Sequence, residues 1–212
     1  MTYTVMCEND PEFATAPVRW LRINSVLDED FDLDYFTVDA FYLAGNYVKL
    51  DGGLESYNQR RVMTINGIDV TLDFAINLNK ETRELKIEVM AMDPATDFML
   101  QDPTIGFLYP NDETGIGDGY FVYTLKAKDD LAHGTTITNK ADIYFDFNDV
   151  IETPTAVNTI DKAAPVVDSF IVTHDGNNQL TFTVEGSDAD SGIKGYNIAY
   201  SEDGEVYTIL TT

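Results

Sequence analysis

Seven acidic side chains lie between residues 88 and 118, and no lysine or arginine occurs from 87 to 125. They are Glu88, Asp93, Asp97, Asp102, Asp112, Glu113 and Asp118. Most sit in "MDPATDFMLQDPTIGFLYPNDETGIGDG", a stretch longer than loops without strands or helices usually run, so something has to hold it. Calcium is one candidate, because it takes six to eight oxygens from carboxylates, amides and carbonyls and can order a loop that lacks a ladder of its own. The expected ligands are Asp93, Asp97, Asp102, Asp112 and Asp118, together with Glu8, Asn9 and Asp10 of the oxygen-rich "CENDPE". The competing reading is a solvated acidic loop, and for "CENDPE" a simple turn or cap. "GSDADSG", with Asp188 and Asp190, is a third oxygen-rich turn of the same kind.

Other spacings carry less chemistry. "DEDFDLD" places Asp28, Asp30, Asp32 and Asp34 at every second residue, yet it lacks the glycine and the bidentate glutamate of an EF-hand loop. Phe31 and Leu33 between the acids point instead to a turn running into a strand. "GIGDGY" has Tyr120 where a dinucleotide-binding turn needs glycine, and a strand rather than a helix is expected after it. His133 and His174 stand far apart, with no cysteine or paired carboxylate at metal spacing nearby in sequence. Trp20 and the tyrosines Tyr35, Tyr42, Tyr47, Tyr57 and Tyr109 could stack against sugars, although aromatic residues on strands mostly fill cores. Lys140, close to Asp142 and Asn148, raises an internal isopeptide bond. Cys7 is the lone cysteine, so there is no internal disulfide, and it reads as a small buried hydrophobe.

The elements that position these residues are strands. In "VTLDFAINLN", Val70, Leu72, Phe74, Ile76 and Leu78 alternate with polar residues, and "ELKIEVMAM" repeats the pattern after a polar connection of hairpin length. "YFVYTLKAK" alternates as well. "ITNKADIYFDFN" reads as one strand with Ala141, Ile143, Phe145 and Phe147 on its apolar face. Strands with one oily and one wet face build antiparallel sheets packed on one side, so the expectation is an all-β sandwich. With 44% hydrophobic residues in 212, the chain can fill a packed core. Its 37 acidic against 13 basic residues, net −24, disfavour nucleic acid and anionic membrane surfaces as partners. No apolar run is long enough to span a bilayer.

"ETPTAVNTIDKAAP" has a linker's composition, and the strand pattern restarts after it with "VDSFIVTH", "QLTFTVEG", "GYNIAYS" and "VYTIL". Two domains are expected, at 1–162 and 163–212, the second short of the strands a complete sandwich needs. The chain therefore reads as a piece of a longer modular protein, any export signal lying outside it.

The stretch "GIGDGYFVYTLKAKDDLAHGTTITNKADIYFDFNDVIETPTAVNTID" resembles a repeat domain of large bacterial extracellular and cell-surface proteins. Leu131, Gly134, Thr135, Ile137, Asn139, Ala141, Ile143, Phe145, Asp146, Asn148, Ile151, Thr153, Asn158 and Asp161 carry the likeness. The opening residues around "END" and "LDEDFDLD" are similar to the same family, and Ala132 and Asp149-Val150 depart from its usual prolines. The tail, with Tyr196, Ile198, Tyr200 and the Asp203-Gly204 turn, resembles the front of a fibronectin type III or related immunoglobulin-like module. The resemblance implies an antiparallel Ig-like β-sandwich followed by a partial second Ig/fibronectin-III-like unit, secreted or displayed at the cell surface. It implies no known activity. The expectation is a non-enzymatic spacer, stiffened by calcium, whose partners are neighbouring domains of the same chain. The alternative is a carbohydrate- or protein-binding adhesion module that meets cell-surface glycans or proteins.

Overall fold

The computed structural model describes residues 1–177 and 179–210, and every regular element in them is a β-strand. The chain divides into two compact units, Met1–Leu131 with Thr136–Asn158, and Ala132–Thr135 with Thr159–Thr212.

The first unit is built from thirteen strands. They are β1 (Thr2–Glu8), β2 (Trp20–Val26), β3 (Phe31–Leu43), β4 (Asn46–Leu54), β5 (Tyr57–Ile65), β6 (Ile68–Asn79) and β7 (Glu84–Asp93). There follow β8 (Phe98–Met99), β9 (Asp118–Ala127), β10 (Thr136–Asn139), β11 (Asp142–Phe145), β12 (Ile151–Glu152) and β13 (Ala156–Thr159). One sheet has the order β1-β9-β3-β4, the other β12-β11-β2-β7-β6-β5 with β8 beside β7, and β10 pairs with β13. Every pairing within the two larger sheets is antiparallel.

The period-two residues decide which faces meet. Val70, Leu72, Phe74 and Ile76 of β6 are buried, as are Leu85, Ile87 and Val89 of β7 and Phe121, Tyr123 and Leu125 of β9. Phe41 of β3 meets Phe74 and Tyr57 of the opposite sheet with ring centroids 4.6 and 5.5 Å apart, so the two sheets close on a shared aromatic core. Asn66 and Gly67, at φ 52° and 73°, form the tight turn between β5 and β6, a conformation that Asn-Gly supplies at low cost.

The run 136–148 departs from the single strand its alternation suggests. It breaks after Asn139, β10 pairing with β13 while β11 joins β2. Alternation persists through the break because Ile137, Asn139, Ala141, Ile143 and Phe145 all point inward. Asp146 then adopts φ 51° and ends the strand, leaving Phe147 exposed rather than in the core. The carboxylate of Asp146 accepts the backbone N–H groups of Arg19 and Trp20, which offsets the cost of its left-handed conformation.

The second unit contains two antiparallel hairpins. In one, β14 (Val166–His174) pairs with β15 (Leu180–Ser187); in the other, β16 (Ile198–Tyr200) pairs with β17 (Thr208–Leu210). Its apolar residues stay largely open, Val166, Phe170 and Ile171 all being more than half exposed.

Candidate functional site

The long segment between β7 and β9 is held by the protein's own side chains and backbone. Phe107 and Leu108, fully buried, anchor its middle. Around them, Phe107 N–H donates to Val18 O at 2.9 Å and Val18 N–H to Leu108 O at 2.8 Å. Gly106 lies so close to this bridge that a Cβ there would stand 2.4 Å from Val18 O. The Arg19 guanidinium donates to the carbonyls of Leu100 and Gln101. Asn9, buried, donates through Nδ2 to Ala16 O and Leu108 O, while its backbone joins Gly117 and Asn111. With the short β7–β8 pairing, these contacts give the segment partners for its backbone at several points along its length.

The eight expected ligands are distributed along this scaffold. Asp93 caps Ala95 and Thr96, Asp102 caps Thr104, and Asp112 caps Thr114. The Thr104 hydroxyl holds the Asp102 carboxyl below the usual carboxylate range, and the Thr114 hydroxyl does the same for Asp112. Asp97 is paired with Arg60 at 2.6 Å, and Asp10 accepts the Glu12 N–H. Glu8 and Asp118 do come together, as cross-strand partners of β1 and β9. Between them stands Asn111, whose Nδ2 donates to Glu8 Oε1 at 2.7 Å and to Asp118 Oδ1 at 2.9 Å. Its Oδ1 accepts the Gly117 N–H, so the amide is oriented with its donors toward the acids. The Asn111 amide thus bridges these two carboxylates. Among the described residues, none of the seven acids belongs to a set of three His, Cys, Asp or Glu ligand atoms within 4.8 Å of one another.

The sheet's outer face beside this pair carries a row of rings. Met6 lies opposite Tyr120, Tyr120 opposite Tyr42, and Tyr42 opposite Tyr47 across the four strands. An open depression of about 470 Å³ adjoins the row, with Glu8 and Asp118 on its rim. Tyr42 and Tyr120 stack on each other, 5.1 Å apart and 8° from parallel, so two of the ring faces are already covered. Tyr47 keeps 57% of its surface exposed, whereas Tyr57 belongs to the core. Beneath the row, Cys7 Sγ contacts Gly119 O; burial, with Asp118 nearby, pushes the thiol up to about 12.

The remaining candidates take structural partners. Trp20 donates through Nε1 to Glu88, and the Arg22 guanidinium lies 4.1 Å over its ring. Lys140 Nζ is exposed and pairs with Glu152 at 2.6 Å. His174 Nδ1 accepts the Gly176 N–H in a turn. Inside the sandwich, Asn139 joins Ser25 Oγ at 3.1 Å to the Tyr123 hydroxyl at 2.7 Å, a buried polar link that the alternation alone did not single out.

Residues 59–159 match the family model of a domain of unknown function, DUF7619. The match begins inside β5 and ends with β13, while β1 and β3, which flank β9 in its own sheet, lie outside it. The chain matches no curated protein and no solved structure.

Proposed function

We propose that this chain is a non-enzymatic structural module of a secreted or surface-displayed bacterial protein, a stiff β-sandwich spacer followed by an Ig/fibronectin-III-like unit. The observation that carries the reading is the stapling of the long 93–118 segment by Arg19, Asn9, Asn111 and the Val18–Leu108 bridge. Side chains that elsewhere would meet a substrate here satisfy the backbone of their own scaffold, which favours rigidity under load over chemistry. The resemblance of the "TTITNKADIYFDFN" region to repeats of exported proteins supports the localisation, and the acidic surface suits a solvated, displayed module. Calcium is not needed for this reading. Pulling the chain by its ends tests it: a spacer gives a discrete, all-or-none extension event for the first unit. Gradual lengthening at low force, with no such event, overturns the proposal.

A second reading, a carbohydrate- or protein-binding module, draws on the Met6–Tyr120–Tyr42–Tyr47 row beside Glu8 and Asp118. Soluble glycans titrated onto labelled protein would move resonances of Tyr47 and Met6 on this reading. Shifts absent, or confined to other faces, would remove it.

A further inference from the structure

We propose that His133, Asp161 and Asp190 bind one divalent transition-metal ion of the zinc type. All three belong to the second compact unit, and they come from separate segments: the loop Ala132–Thr135, the stretch after β13, and the turn after β15. His133 Nδ1 stands 3.5 Å from Asp161 Oδ1, and Nε2 stands 3.3 Å from Asp190 Oδ2. One ligand atom from each lies within 4.8 Å of the other two. Zinc bonds of about 2.0–2.2 Å in a tetrahedron place neighbouring ligand atoms about 3.3–3.6 Å apart. An ion takes one ring nitrogen, so the Nε2–Asp190 spacing suits it directly, and the His133 ring has to turn to bring Nε2 toward Asp161, which stands beside Nδ1.

The donor set also says which ion. Calcium takes oxygen, whereas an imidazole nitrogen beside two carboxylates suits zinc and its neighbours. Asp161 is the fixed member: its side chain is 15% exposed, and the Ala163 N–H donates to it at 2.8 Å. Ser191 also hydrogen-bonds to its carboxyl, which helps to hold it in place. His133 and Asp190 are 46% and 44% exposed and can adjust around it. Without metal, the Lys162 N–H donates to Nδ1 at 3.1 Å, which leaves the ring proton on Nε2, aimed at Asp190. A metal at Nε2 takes that proton's place. The ring proton moves to Nδ1, and the Lys162 amide must let go.

The test uses the whole chain, stripped of metal and titrated with zinc chloride. The expected result is uptake of one ion, a raised thermal midpoint, and movement of the Lys162 amide and His133 ring resonances. His133→Gln abolishes all three, Asp190→Asn weakens binding by more than about tenfold, and His174→Gln leaves it intact. Absence of uptake, or equal affinity in His133→Gln, overturns the site. The spacer proposal does not depend on this outcome, because the force measurement reads the first unit.

Discussion

At the scale of single residues, the sandwich is specified by a few buried polar groups as well as by its apolar faces. Asn139 is 6% exposed and satisfies both Ser25 and Tyr123. Replacing it by alanine takes the amide away from the Tyr123 hydroxyl, while Ser25 keeps the Lys140 carbonyl at 2.7 Å, and should cost about 1–3 kcal/mol, measured by urea unfolding. Burial is the main cause that raises Tyr123 from 10.0 to about 12 and Cys7 from 9.0 to about 12. Folding therefore disfavours their ionised forms. Their contribution to stability is whole below the unfolded values, and is lost as pH rises from about 9 for the thiol and about 10 for the phenol, up to about 12. Unfolding midpoints measured across that range should fall, and Tyr123→Phe should flatten the part above pH 10. A thiol reagent should label Cys7 slowly in the native protein and rapidly in denaturant. The burial of Cys7 was legible because a lone cysteine with no disulfide partner packs as a small apolar side chain. The buried role of Asn139 was not, since an amide at an inward position looks polar until its partners from β2 and β9 are in place.

At the scale of elements, alternation located β6, β7 and β9 directly, while β1, β2, β4 and β5 were hidden and β3 showed only its start, at Phe31 and Leu33. Their sequences mix acids, tyrosines and glycines, and β3 runs through two irregularities of register that blur its period. The break between β10 and β11 also escaped notice, because inward positions keep the same parity on both sides of a change of sheet. The turn chemistry of the acidic segment was present all along. Asp93 with Thr96, Asp102 with Thr104 and Asp112 with Thr114 are aspartate–threonine caps at local spacing. What no local spacing could show is the long-range stapling by Arg19 and Asn9, from more than eighty residues away in sequence. Gly106→Ala tests that stapling from the other side. The added Cβ would press on Val18 O, and relieving it means opening the Val18–Leu108 bridge. The expected loss is about 1–3 kcal/mol by urea unfolding, with the 93–118 segment becoming protease-sensitive.

At the scale of the whole molecule, the two units differ in how well their apolar residues are covered. Two-stranded hairpins with open faces are marginal alone, so amides of β14 to β17 should exchange with solvent faster than those of β6 and β7. The stretch 152–165 has a linker's composition, yet β13 runs through it and pairs with β10. The grouping of Ala132–Thr135 with the later unit, and with it the meeting of His133 with Asp190, was not readable, because it brings together loops 57 positions apart (190 − 133). In the first unit several acids of this strongly negative chain are taken up locally: Asp102 by a cap, Glu8 by the Asn111 amide and Asp73 by an ion pair with Arg60.

The central claim is that the long acidic segment is held by the chain itself, and amide hydrogen exchange on metal-stripped protein tests it most directly. The account predicts strong protection of Val18, Phe107, Asn111 and Gly117, unchanged when calcium is added. Fast exchange at these amides that slows only with calcium would contradict it.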